Sequence, residues 1–208
     1  MTSVEVIAKR PPAARKTQRR NRDQVVLEEA IHVISERGYA GTSIQEVADR
    51  VGVLKGSLYH YFSSKEELLF RILEQSHKET TDIAEEVAQL GLPPLEELLE
   101  YLKRSSLWYI ANVQRANIFF TEMRNLTGDR LAEAKTWGRY FESHIQRLVT
   151  SAQESGEIRS DQDPRLITRF VIGAVNNVRD WPSRSGKKFS ATDIAEALVA
   201  LVRNAVAP

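Results

Sequence analysis

The chain has 208 residues, 42% of them hydrophobic and 27% charged, enough for one large domain or for a small module joined to a larger one. It contains no cysteine, which excludes disulfides, thiolate metal sites and cysteine nucleophiles. No apolar run approaches the roughly 18 residues of a membrane span, and the opening MTSVEVIAKRPPAARK carries its basic residues after the apolar stretch, unlike a secretion signal. A cytoplasmic protein with no membrane partner is expected.

The net charge of +1 hides an asymmetry. Up to Lys65 there are 11 Lys/Arg against 7 Asp/Glu; beyond it there are 18 against 21. Residues 1–22 hold Pro11-Pro12 and a basic run from Lys9 to Arg22, and read as a disordered arm suited to phosphates. From Asp23 the chain reads as helix after helix. Val26, Ala30, Ile31 and Ile34 recur at helical spacing, and Gly38 ends the run. Thr42 or Ser43 can cap a short second helix, each with a capping-box partner in Gln45 or Glu46, and Gly52 stands at its end. A third short helix is expected over about 54–61. Ser63 and Ser64 precede Glu66 and Glu67 by three residues, which starts a fourth helix running to about Leu90.

The break Gly91-Leu92-Pro93-Pro94 opens the fifth helix, with Leu95, Leu98, Leu99, Leu102 and Tyr109. The sixth carries Ile118, Phe119, Phe120 and Met123. The seventh spans about 129–155 and stops at Gly156. Asp163-Pro164 starts the eighth, Pro182, Ser183 and Gly186 form a loop, and the ninth runs over about 191–206. The expected class is all-α, with about nine helices.

Two short helices joined at a glycine make a helix-turn-helix. In GVLKGSLYHYFSSKEEL, residues 52–68, Leu58, Tyr61 and Phe62 fall toward one side and Lys55, Gly56, Ser57, Tyr59 and His60 toward the other. Small residues, a cation and polar rings suit a helix lying in a DNA major groove. Lys65, at the start of the fourth helix, opposes the helix dipole and suggests a phosphate held there.

The stretch GYAGTSIQEVADRVGVLKGSLYHYFSSKEELL resembles the DNA-binding signature of the TetR family of bacterial repressors, over about 45 residues from Val25 to Leu69. The resemblance implies three DNA-binding helices in residues 23–68 and a helical ligand-binding and dimerising domain in 69–208. It implies a homodimer on a palindromic double-stranded operator, released by a small effector, with no cofactor and no catalysis. Carried over, Thr42 and Ser43 match phosphate contacts. Gln45, Lys55, Gly56, Ser57 and Tyr59 match groove-facing positions, and His60, Tyr61 and Lys65 match backbone contacts. The family commonly has a serine or similar capper where this chain has Leu54. The third helix then lacks a side-chain cap, at a cost of about 1 kcal/mol, and Leu54 is expected to pack on the second helix.

The segment from Gly156 to Val202 resembles the last two helices of a subgroup that represses fatty-acid and steroid catabolism and senses acyl-CoA thioesters; Trp181-Pro182, Gly186, Ser190 and Asp193 carry the likeness. Helical stripes name candidate ligand residues. Trp137, Phe141 and His144 share a face of the seventh helix, and Phe170 and Asn177 a face of the eighth. Trp108, Tyr109, Phe119, Phe120 and Met123 add aromatic and soft bulk, and Arg179 could meet an anionic head group. An aromatic or drug-like effector is the alternative to an acyl-CoA. The dimer interface is expected from Ile194, Ala197, Leu198, Leu201 and Ala205 of the ninth helix with Gly173, Ala174 and Val178 of the eighth. Glu29-x-x-His32 and Glu74-x-x-His77 have the spacing of di-iron bundles, but His32 lies off the apolar stripe, so neither a metal site nor an enzyme is expected.

Overall fold

The computed structural model describes residues 12–181 and 189–208, with side chains described from Arg22 onward. Nine α-helices occur among the described residues: α1 (Pro12–Gly41), α2 (Ile44–Val51), α3 (Lys55–Leu58), α4 (Lys65–Ala88), α5 (Pro94–Ala111), α6 (Val113–Glu122), α7 (Gly128–Glu154), α8 (Pro164–Asn177) and α9 (Ala191–Val206). The chain divides into two compact units, 1–71 and 72–208, so the boundary falls inside α4, three residues beyond the one expected. The Pro182–Gly186 loop and Lys9–Arg10 lie outside the described residues.

Gly38, at φ 70° and ψ 165°, breaks the helical backbone within α1 where the sequence predicts the run to end, but two other helix bounds differ from expectation. α1 begins at Pro12, so residues 12–22 are helical rather than irregular. Alanine, arginine, lysine and glutamine, which fill most of that stretch, are all good helix formers once proline has opened the turn. α3 is only four residues long and passes into a turn over Tyr59–Tyr61. It is held by its neighbours rather than by its own ladder, as a nucleus that short requires.

In the first unit α1 supplies Val26, Ala30, Val33 and Ile34 to a core closed by Val47 and Ala48 of α2, Leu58, Phe62, and Leu68 and Leu69 of α4. Ala48 is fully buried, and a small side chain there lets α2 approach its neighbours. At the surface Arg50 grips Glu36 with both guanidinium nitrogens (3.3 and 2.5 Å) and Arg37 meets Glu46 at 2.9 Å, which ties α2 to α1.

In the second unit α5 lies at the centre, packed along α9 on one side and α7 on another, with α8 against α7. Leu98, Leu102, Ile145, Leu148, Val171, Val175, Leu198 and Val202 form the core of that bundle. The starts of α8 and α9 are capped by side chains. Asp163 caps α8 by accepting the Arg165 N–H at 2.8 Å, with Pro164 at the first position. Ser190 and Asp193 form a reciprocal capping box on α9.

Burial corrects the expected dimer face. Ile194 and Leu198 are 3% and 1% exposed inside the bundle, and Val178 is fully buried. The outward residues of α9 are Ala197, Leu201 and Ala205, and those of α8 are Leu166, Phe170, Gly173 and Asn177. A helix packed on α5 must spend one stripe internally, so only the opposite stripe is left for a partner.

Candidate nucleic-acid interface and ligand cavity

The helix-turn-helix is built around Gly52. Its backbone is left-handed (φ 74°, ψ 36°), a conformation that costs a Cβ-bearing residue about 1–2 kcal/mol. From there its N–H donates to the Asp49 carbonyl (3.2 Å) and Val53 N–H to the Ala48 carbonyl (3.0 Å), closing α2 and turning the chain into α3. Ser43, not Thr42, caps α2: its hydroxyl accepts the Glu46 N–H at 3.1 Å. Thr42 is buried and donates its hydroxyl to the Gly38 carbonyl at 2.9 Å, so in this geometry that hydroxyl is not offered to a phosphate.

The four consecutive rings divide by burial. Phe62 is core, Tyr61 is half-buried, and Tyr59 (49% exposed) and His60 face outward. Lys55 and Gly56 are exposed beside them and Ser57 is half-buried. A Cβ built on Gly56 would meet nothing within 4 Å, which leaves the surface open to a close-approaching backbone. Gln45 is exposed and donates to Asp49 Oδ1 at 2.7 Å. Leu54 does not pack on α2; it is 81% exposed and caps α3 with no side-chain hydrogen bond.

At the start of α4, Ser64 accepts the Glu67 N–H (3.0 Å) while the Glu67 carboxylate accepts from Ser63 N–H (2.8 Å) and from the Ser63 hydroxyl. Lys65 folds back over the Tyr39 ring, 4.2 Å from its centroid, and donates to the Ala40 carbonyl at 3.4 Å. Its charge thus stays at the surface of the first unit, fixed by a cation–π contact.

The second unit contains a cavity of about 280 Å³. Its wall is aromatic: Tyr109 from α5, Phe119 and Phe120 from α6, Trp137 and Phe141 from α7, with Met123. His77 and Thr80 of α4, Gly138 and Glu142 of α7, and Ile172 and Asn176 of α8 complete it. His77 stacks on Trp137 with ring centroids 5.1 Å apart, and desolvation there lowers its pKa, opposed by Glu133. Burial pushes the Tyr109 phenol well above its usual range, so it stays neutral. Asn176 Oδ1 is buried with no hydrogen-bond partner.

Five of the expected ligand residues do not line this cavity. Trp108 donates its indole N–H to Glu79 at 2.9 Å, in a cluster with Arg115, which also donates to Glu79 at 2.9 Å. His144 lies edge-on to Tyr101, with centroids 4.8 Å apart. Phe170 is half exposed, and Asn177 is exposed and bonded back to the Gly173 carbonyl (2.7 Å). Arg179 donates to Asn117 Oδ1 (2.7 Å) and covers Phe120 at 4.6 Å, one side chain away from the cavity. The α8 residues on the cavity are Ile172 and Asn176, while Phe170 and Asn177 face outward. Phe170 and Asn177 are seven apart and Ile172 and Asn176 four, each an apolar residue and an asparagine at helical spacing, and only packing against α7 separates the two. His77 was visible as half of a Glu-x-x-His pair, yet among the described residues no group of three or more His, Cys, Asp or Glu could hold a metal ion.

An exposed reading surface after a glycine turn, and a partly open aromatic cavity in a separate helical unit, define a helix-turn-helix regulator with a sensory domain. Residues 26–72 match the family model for bacterial regulatory proteins of the tetR family, and residues 91–206 that for the tetracyclin repressor-like C-terminal domain. The repressor KstR2 of Rhodococcus jostii (strain RHA1) is 25% identical over 198 residues, 95% of this chain and 97% of that protein. The structure of the ketosteroid transcriptional regulator KstR2 of Mycobacterium tuberculosis superimposes with a TM-score of 0.82 at 24% identity, covering 90% of this chain and 95% of that one. AibR, crystallised in complex with isovaleryl coenzyme A and operator DNA, gives 0.78 at 26% identity over 86% of this chain and 97% of that one. The chain belongs to the tetR family of bacterial regulatory proteins; it is a ligand-responsive transcriptional repressor, not an enzyme. No helix among the described residues is long and apolar enough to cross a membrane.

Proposed function

We propose that this repressor binds a palindromic operator as a homodimer in the cytoplasm and leaves it when an acyl-CoA thioester occupies the cavity of the second unit. The reading rests above all on the cavity: aromatic walls, five polar lining residues (His77, Thr80, Tyr109, Glu142 and Asn176), and Arg179 next to one wall. At about 280 Å³ it lies at the lower edge of volumes that hold drug-sized ligands. It suits an acyl chain and leaves the nucleotide part of the thioester outside. The Arg179 guanidinium, held through Nε by Asn117, has its outer nitrogens for a phosphate. The complex of AibR with isovaleryl coenzyme A supports the same ligand class here.

Two copies would pair through the outward stripes of α8 and α9, where Leu166 and Leu201 are each 60% exposed and Gly173, Ala197 and Ala205 permit close approach. A two-fold dimer presents two α3 surfaces, hence a palindrome. Thr80 and His77 couple the cavity to α4, the helix whose first turn belongs to the DNA-binding unit. A ligand that prefers the α4 position incompatible with DNA shifts the equilibrium by its differential affinity, and about 1–3 kcal/mol suffices.

A gel-shift titration with isovaleryl-CoA and longer acyl-CoAs tests the proposal. Release by the thioester that weakens in Arg179→Ala supports it. Equal release by the free acid or by uncharged aromatic compounds, unaffected by Arg179→Ala, transfers the assignment to an aromatic effector, a class the aromatic wall also suits.

A further inference from the structure

Leu54 is the most exposed large apolar side chain among the described residues, at 81%. Single exposed leucines are ordinary on protein surfaces, but two observations set this one apart. It occupies the position before α3 with extended backbone (φ −68°, ψ 141°), where its carbonyl accepts the Ser57 N–H at 2.8 Å. A serine, threonine, aspartate or asparagine at such a position would satisfy a further N–H and stabilise the helix; leucine forgoes that and gains no burial in return. The residues that follow it on the exposed side are also polar or small: Lys55 and Gly56, with open space over Gly56, and the exposed phenol of Tyr59 just past the end of α3.

A leucine can neither donate nor accept a hydrogen bond, so it cannot contact phosphates or the polar edges of bases to advantage. The major groove offers one kind of apolar partner, the C5-methyl group of thymine. We propose that Leu54 is a specificity-determining residue, whose side chain packs on a thymine methyl in each half-site of the operator. This rests on the DNA-binding reading given above. Lys55 and Tyr59 then supply affinity and register while Leu54 supplies discrimination at one base pair per half-site. The lost helix cap is offset only when DNA is bound, because only then is the leucine covered.

The test begins with selection of operator sequences from random duplexes by the full-length wild-type chain. Each thymine of the selected operator is then replaced by uracil, which removes the methyl group and nothing else. At one symmetry-related position wild-type affinity falls about fourfold per half-site, and about sixteenfold with both replaced, the worth of roughly one buried methyl-sized group each. Leu54→Ser and Leu54→Ala bind the thymine and uracil operators equally at that position, and selection with either no longer recovers a fixed thymine there. Because the side chain is exposed, both variants fold, and Leu54→Ser unfolds at the same or a higher temperature than wild type. Uracil costs of the same size in wild type and variants, or no thymine whose methyl matters to wild type, would overturn the assignment of Leu54 and leave the repressor reading intact. A wild-type chain that selects no sequence at all would overturn that reading, and this one with it, before any substitution is made.

Discussion

Gly138→Leu tests the cavity while sparing the rest of the molecule. Gly138 lies within α7 and lines the cavity, and a Cβ built on it meets no atom within 4 Å. Replacing a glycine inside a helix by leucine improves helix propensity by about 0.5–1 kcal/mol, and ordering the side chain returns roughly 0.5–1 kcal/mol of that. Stability should therefore stay within about 1 kcal/mol of wild type, on the neutral or stabilising side. The hole left when one buried leucine is truncated is on the order of 150 Å³, so a leucine directed inward removes about half of the 280 Å³ present. Effector binding should weaken at least tenfold, about 1.4 kcal/mol. The substitution lies in the second unit and touches no residue of the reading surface, so operator affinity should change less than twofold. The expected phenotype is a repressor that binds DNA normally and no longer lets go. The assay is a gel-shift titration of operator complex with isovaleryl-CoA, beside thermal unfolding of the free protein. Release at the wild-type midpoint would show that the effector does not use this cavity. A fall of several degrees in unfolding temperature would show that the space at Gly138 is not free.

Other expectations follow from single features. Gly52→Ala forces a Cβ into a left-handed position with no clash nearby, so it should cost about 1–2 kcal/mol in denaturant unfolding by backbone strain alone. A null effect would mean the turn rearranges. Tyr59→Ala removes an exposed ring, so unfolding should shift by no more than about 0.5 kcal/mol while operator affinity drops measurably; unchanged affinity would displace the docking surface. Leu201→Glu puts a charge on the outward stripe of α9 and should yield monomers in sedimentation at micromolar concentration, with operator binding weakened; a dimer would reject the α8–α9 interface. His77 and His144 both have pKa values lowered, by burial first, with Arg147 adding to the effect at His144 and Glu133 and Glu97 opposing it at His77 and His144 respectively. The unfolded chain then takes up protons at higher pH than the native one. Stability should be level above the ordinary histidine pKa of about 6.5 and fall as pH drops below it. His77→Gln should flatten that slope in unfolding curves between pH 7 and 5, and an unaltered slope would show that His77 does not contribute to it.

Much of this protein was legible without coordinates, because its features are local. A glycine that must be left-handed, the capping pair Ser43–Glu46, a proline after Asp163 and a 3.6-residue apolar period act within a turn or two of chain. They suffice for nine helices, for the helix-turn-helix and for the division of Tyr59 and His60 from Leu58 and Phe62. What tertiary structure decided was which of two equivalent stripes faces inward. On α8 the pairs Phe170–Asn177 and Ile172–Asn176 look alike along the chain, and only packing against α7 turns the second toward the cavity. On α9 the choice of α5 as neighbour consumed Ile194 and Leu198 and left Ala197 and Leu201 outside. Trp108 was drawn out of the cavity wall by Glu79 and Arg115, 29 residues before it and seven after it. Hydrophobic burial is non-directional, so periodicity states that a stripe will be covered but not by what. The covering partner is chosen by contacts distant in sequence, and the position of a ligand cavity is set by the same contacts.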